Sequence, residues 1–246
     1  MKKWLFLFCI CGIYLNAVPF YQNPSPENAY TWLEKQKIEQ ATENDRPYVL
    51  SLAATFIAQI LKVHPDYIER FAQDFSHFSP LQKSIFQQAF SSAQIKDARI
   101  QEDETSSTMP IFKLDHLEFK SGHDFDLMVT SYLATGNENF LSQPMAFLNS
   151  DPELLFFTYE WHNRQFLTQF LKEVTGRSEL PDEAEFSDQL KSWTENKLQQ
   201  FILTMAAWHC LDLIKREDPT AAQKISKLCQ DNPKIDYQGT LAKLLK

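Results

Sequence analysis

The amino-acid sequence predicts an all-α fold, a multi-helix bundle with at most one short β-hairpin near residues 111–120. The chain of 246 residues contains 20 phenylalanines but only five glycines. Few glycines leave few positions for the tight turns of β-hairpins, and the phenylalanines supply apolar area for a filled core. The third observation is that several prolines open stretches with helical periodicity: Pro26, Pro47, Pro65, Pro80, Pro152 and Pro219.

These prolines fix the expected helix starts, because the first helical position needs no N–H donor. N-cap residues stand directly before four of them: Ser25, Ser79, Asp151 and Asp218. Ser79 is also followed by Gln82, as a capping box requires. The predicted helices are 26–43, 47–63, 65–77, 80–94, 123–135, 152–175, 187–216, 219–230 and 237–245. Because Pro144 interrupts it, the segment 137–149 is expected to form two short turns.

One helix is expected at the centre of the bundle. Residues 47–63 are apolar on almost every side, and their main polar residues form one narrow stripe: Ser51, Thr55 and Gln59. A helix of this kind is buried on most of its surface. An alternative packing is a solenoid, because Pro47 and Pro80 are separated by about the 33–34 residues of a helix-turn-helix repeat.

The N-terminus predicts export. Lys2 and Lys3 precede the apolar run Trp4–Leu15, which is shorter than the roughly 20 residues that span a bilayer. The small residue Ala17 follows, so we expect a signal peptide, residues 1–17, that is cleaved after Ala17. The mature chain would then begin at Val18 in the periplasm or the extracellular medium.

A lipid anchor and an uncleaved leader are the alternatives to a cleaved signal peptide. A bacterial lipoprotein signal needs a small residue before the acylated cysteine, but Phe8 precedes Cys9 and Ile10 precedes Cys11. Neither Cys9 nor Cys11 therefore meets the requirement for an acylated lipoprotein cysteine. A leader that escapes cleavage would instead remain as an N-terminal anchor.

The sequence divides into two helical halves. Residues 97–109 are acidic and polar with almost nothing to bury, so they are predicted to form a mobile loop between an N-terminal half, 18–96, and a C-terminal half, 110–246. Whether the two halves form one domain or two remains open. The formal net charge of −8 argues against binding to nucleic acid, and no stable membrane insertion is expected after the signal is removed.

No catalytic, cofactor-binding or metal-binding motif is found. Gly-x-Ser-x-Gly and His-Glu-x-x-His are both absent from the sequence. One polar cluster, residues 115–118 with 123–126, carries His116 and His123 among acids and would suit a divalent metal. A structural interpretation is favoured, in which Ser121 caps a helix and Asp124 occupies its first turn.

Two pairs of side chains receive structural interpretations as well. His162 and His209 each follow a tryptophan but lie on apolar helix faces, so both are expected in the core. Cys210 and Cys229 flank the short turn between two predicted helices. They would form a disulfide if their side chains face the seam between the helices, or remain as two buried thiols.

The function predicted from these observations is a non-enzymatic, exported module for protein–protein interaction. Rich in aromatic residues, the chain has the side chains that anchor interfaces, and its partner would be another protein. The alternative is a hydrolase whose carboxylates come from separate helices, with His116 and His123 as the named candidates.

Overall fold

In a computed structural model of the chain, residues 19–36, 38–100, 119–160 and 190–231 are described. Every regular element within these ranges is a helix and none is a strand, which confirms the predicted all-α class. The predicted signal peptide and the predicted last helix lie outside them, as do His116, His162 and nearly all of the predicted hairpin.

The helices are α1 (Pro26–Lys35), α2 (Arg46–Val63), α3 (Tyr67–Asp74), α4 (Pro80–Ser92), α5 (Gly122–Thr135), α6 (Asn139–Leu148), α7 (Glu195–Glu217) and α8 (Pro219–Asp231). Residues 152–160 are also helical. Short 3₁₀ turns cover Phe20–Gln22, Ile38–Gln40 and Phe75–His77.

The helix starts agree closely with the proline pattern. At α4, the Ser79 hydroxyl accepts the Gln82 N–H at 3.3 Å, and the Gln82 side chain accepts the Ser79 N–H at 2.9 Å. This is the predicted capping box. The other predicted caps, Ser25, Asp151 and Asp218, likewise accept backbone N–H groups of their first turns.

The prediction for residues 137–149 was wrong, because α6 is a single helix with Pro144 inside it. A proline in a helix interior removes one backbone hydrogen bond. Leu141, Met145 and Leu148 are at most 1 % exposed, and this burial offsets the missing bond.

Two predicted helices differ most from the structure in their bounds. The first ends at Lys35 and a separate 3₁₀ turn follows, so it is shorter than the predicted 26–43. The predicted helix 187–216 is interrupted after residue 192, and α7 begins with Thr194 as its cap, whose hydroxyl accepts the Lys197 N–H. A threonine followed by the acid Glu195 is a helix-start signal that periodicity alone hides.

The chain folds into two compact units, residues 1–141 and 142–246. In the first unit α2 is central, as predicted: it packs against both α4 and α5, and all residues from Val49 to Leu61 are buried. The predicted mobile loop 97–109 lies mostly outside the described residues and stays a prediction.

In the second unit, α7 and α8 pack as a helical hairpin. Cys210 on α7 and Cys229 on α8 are both buried, 3 % and 7 % exposed, and are not joined by a disulfide. The structure therefore has the second of the two arrangements that the sequence left open. Of the helices in the described ranges, none is long and apolar enough to cross a membrane.

Candidate functional site

A buried polar seam joins α2 and α5. The three polar residues of the α2 stripe are each only 5 % exposed: Ser51, Thr55 and Gln59. Ser51 Oγ lies 2.9 Å from His123 Nε2, and Gln59 Nε2 donates to Ser131 Oγ at 3.3 Å. Both pairs are 72 residues apart in sequence, so α2 and α5 run in the same direction. We call these residues, with Tyr48 and Asp126, the α2–α5 seam.

Ser51 and His123 have the residue types and the spacing of a nucleophile with its base. However, the Ser51 hydroxyl donates its one proton to the Tyr48 carbonyl at 2.7 Å. His123 Nε2 must therefore be the donor to Ser51 Oγ, so this nitrogen carries the proton. An imidazole nitrogen that donates to a hydroxyl cannot act as the base for it. The pair thus connects the two helices and does not activate a serine.

Burial favours the neutral form of the His123 ring. Its half-buried ring lies beside that of Tyr48, with centroids 4.5 Å apart. Desolvation lowers the pKa of His123, and the Asp124 carboxylate opposes this by a smaller effect. Because its pKa lies below the usual 6.5, the imidazole is mainly neutral at pH 7, with its proton on Nε2.

The two acids of the seam region also serve the fold. The Asp124 carboxylate accepts the N–H groups of Lys120 and Ser121 at 2.8 Å each, which closes the start of α5. Asp126, 6 % exposed, accepts a hydrogen bond from the Tyr48 hydroxyl. The structural interpretation of Ser121 and Asp124 is thereby confirmed.

The remaining candidate ligands do not assemble into a metal site where the structure can be described. Within those ranges, no group of three or more His, Cys, Asp or Glu residues could hold a metal ion. His209 is half-buried beside Trp208, with ring centroids 6.2 Å apart. Of the two histidines named for the hydrolase alternative, only His123 is described, and its Nε2 is hydrogen-bonded to Ser51.

Most of the described aromatic residues of the first unit are core residues. Phe71 and Phe86 are fully buried with ring centroids 5.2 Å apart, and Tyr30 contacts Phe71 at 5.5 Å. The Tyr30 hydroxyl donates to Asp74 at 2.9 Å; burial first, and this bond second, raise the pKa of Tyr30. These rings stabilise the fold and are not available to a partner.

Among the described residues, the exposed large apolar side chains are Val63 in the first unit and Phe156 in the second. Phe156 is 56 % exposed on the helical stretch 152–160, whereas Leu154, Leu155 and Phe157 beside it are at most 5 % exposed. Among the described Phe, Tyr and Trp residues, only Phe156 is exposed.

Charged and aromatic side chains of the second unit contact Glu153 and Phe157, which lie near Phe156 on the same helical stretch. Lys197 donates to the Glu153 carboxylate at 2.6 Å, one helical turn before Phe156, and its Nζ lies 4.8 Å from the centre of the Trp193 ring. The half-buried Trp193 also packs on Phe157, with centroids 4.6 Å apart. We call Glu153, Phe156, Trp193 and Lys197 the Phe156 surface.

Sequence reasoning found the parts of the seam but not their pairing. The stripe on α2 and the polar residues of α5 were each noted, yet their contact across 72 residues leaves no local pattern. Comparison of the chain with protein-family models, curated proteins and solved structures gave no match. Function must therefore be argued from the residues themselves.

Proposed function

We propose that the chain is an exported, non-enzymatic helical protein that binds another protein through the Phe156 surface. The observation that carries this proposal is the 56 % exposure of Phe156 on a helical stretch where Leu154, Leu155 and Phe157 are buried. Fully burying such a side chain is worth about 1.5–3 kcal/mol. A partner with an apolar pocket would recover part of that free energy.

The composition of the surface supports this use. Interfaces combine an aromatic centre with a polar rim, and aromatic anchors carry a large share of their binding energy. Phe156 and Trp193 are the aromatic members here, while Glu153 and Lys197 form an ion pair beside them. Charges of both signs at the rim would orient a partner more than they would increase its affinity.

The α2–α5 seam supports the non-enzymatic part of the proposal. Ser51 and Asp126 are 5 % and 6 % exposed, and both are engaged in hydrogen bonds between the helices. A substrate could reach them only if α2 and α5 separated. The hydrolase alternative would therefore need carboxylates from elsewhere in the chain.

Export is supported by the basic, apolar and small-residue succession of residues 1–17. It is tested by determining the N-terminus of the protein recovered outside the cytoplasm. A chain that begins at Val18 is the expected result. A chain that retains Met1 in a soluble cytoplasmic fraction would contradict export.

The binding proposal is tested by identifying partners of the mature chain in the exported fraction and measuring their dissociation constants. Phe156→Ala is expected to weaken the specific partner at least tenfold, about 1.4 kcal/mol. Val63→Ala is the matched control, since Val63 is 50 % exposed and lies in the other unit. Equal affinities for both variants and the unchanged protein would refute a role for the Phe156 surface.

A further inference from the structure

The residues that directly follow the predicted cleavage site are part of the first unit's core. Pro19 is buried and Phe20 is only 3 % exposed. The Phe20 ring lies edge-on to Phe56, with centroids 5.7 Å apart, and contacts His64 at 6.1 Å. The mature chain therefore has almost no free N-terminal tail before it enters the core.

The next residue, Tyr21, packs against α5. Its hydroxyl lies 3.0 Å from the hydroxyl of Tyr132, and the two rings contact each other at 5.4 Å. Gly136 ends α5 with φ of 66°, and a Cβ at this position would lie 2.6 Å from the Tyr21 ring. A glycine is thus needed there both for the backbone conformation and for the docking of Tyr21.

Backbone hydrogen bonds hold the same segment in place. The Gln22 and Asn23 N–H groups donate to the carbonyls of Pro19 and Phe20, each at 3.0 Å. The Tyr67 hydroxyl donates to the Pro24 carbonyl at 3.0 Å. Residues 19–24 therefore cannot become extended without breaking contacts with α2, α3 and α5.

We propose that, once the first unit is folded, the docked residues 19–24 prevent signal peptidase from holding the chain on the mature side of the predicted cleavage site, so that cleavage after Ala17 must precede folding. This inference rests on the proposed export signal. In the reaction, water adds across the peptide bond and leaves a carboxylate on Ala17 and an amine on Val18. Two residues separate that bond from Phe20, a reach of about 7 Å in extended chain. A protease must hold extended backbone on both sides of the bond, so it cuts a buried segment only after local unfolding.

The order of events decides the fate of the precursor. A chain that is cleaved while unfolded releases a mature protein whose Phe20 and Tyr21 then complete the core. A chain that folds first keeps its leader and remains attached to the membrane. The retained anchor, which the sequence left open, becomes the product of premature folding.

The test uses the full-length precursor, purified with residues 1–17 attached. One sample is refolded and the other is diluted from denaturant directly into purified signal peptidase in detergent micelles. Mass spectrometry then follows the loss of residues 1–17. The unfolded precursor is expected to be cut at Ala17, and the folded precursor at least tenfold more slowly.

A spacer variant separates this mechanism from other causes of resistance. Eight Gly and Ser residues inserted between Val18 and Pro19 move the bond away while Phe20 stays docked. The folded spacer precursor should be cut at the rate of the unfolded chain, with an unchanged unfolding midpoint. Phe20→Ala should also speed cleavage of the folded precursor, whereas Val63→Ala should not.

Three results would overturn the inference. Equal cleavage of the folded and unfolded precursors refutes protection of the cleavage site by folding, but does not contradict the proposed export signal. Resistance of the folded spacer precursor shows that the docked segment is not the cause. Failure to cut even the unfolded chain refutes the export signal itself, and the inference falls with it.

Discussion

The α2–α5 seam and the Phe156 surface use polar and aromatic side chains in opposite ways. In the seam, Ser51 and Asp126 are buried and bonded to residues of the facing helix. At the Phe156 surface a large aromatic ring is left in water beside the exposed ion pair of Glu153 and Lys197. The comparison shows that Ser51 and Asp126, which are reactive residue types, stabilise the packing of two helices. The candidate interface is instead centred on Phe156, which has no reactive group.

The largest expected effect separates a core phenylalanine from the exposed one. Phe71→Ala should lower the free energy of unfolding by about 3–5 kcal/mol, because Phe71 is fully buried between aromatic rings. Phe156→Ala should change it by less than about 0.5 kcal/mol. Urea unfolding of both variants measures the difference. A comparable loss of unfolding free energy in Phe156→Ala would mean that Phe156 stabilises the fold and is not available to bind a partner.

Gly136→Ala should have the next largest effect within the first unit. The left-handed conformation costs a residue with a Cβ about 1–2 kcal/mol, and the Tyr21 ring must also move. A double-mutant cycle with Tyr21→Ala isolates the second part. The cost of Gly136→Ala should be smaller in the Tyr21→Ala background. Additive costs would show that the ring of Tyr21 does not depend on this glycine.

The seam should make the protein sensitive to mild acid. Burial lowers the pKa of His123 from its usual 6.5, so below that pH the unfolded chain binds more protons than the folded one. The free energy of unfolding should therefore fall as the pH is lowered from 6.5 through the folded pKa. His123→Gln keeps a donor for Ser51 but cannot titrate, so its slope should be shallower. Identical slopes in the variant and the unchanged protein would contradict the buried, neutral imidazole.

The smallest effect is expected from reducing agent. Because no disulfide joins Cys210 and Cys229, reduction should leave the unfolding midpoint unchanged. Alkylation of the denatured, unreduced protein should modify both cysteines. A disulfide closing a loop of this length would instead contribute about 3 kcal/mol, and its loss on reduction would be plain.

The sequence predicted the fold class and most helix starts because these depend on local chemistry. Ser79 with Gln82 and Asp151 before Pro152 act within one helical turn, so their roles were visible in the chain itself. The continuity of α6 through Pro144 was missed, since it depends on how well Leu141 and its neighbours are buried.

The sites were less predictable because they depend on contacts between distant residues. His123 was noted as a candidate ligand, but its partner Ser51 lies on another helix and only the fold brings them together. Phe156 falls among neighbouring apolar residues, so composition could not show which ring is exposed. The docking of Phe20 and Tyr21 was missed for the same reason.

The most direct test of the account places a photo-reactive benzoylphenylalanine at position 156 or at position 63 of the protein in living cells. After irradiation, position 156 should yield one discrete cross-linked protein, and position 63, which is almost as exposed, should not. Identical cross-linking from both positions, or none from position 156, would contradict the assignment of the Phe156 surface as the binding site.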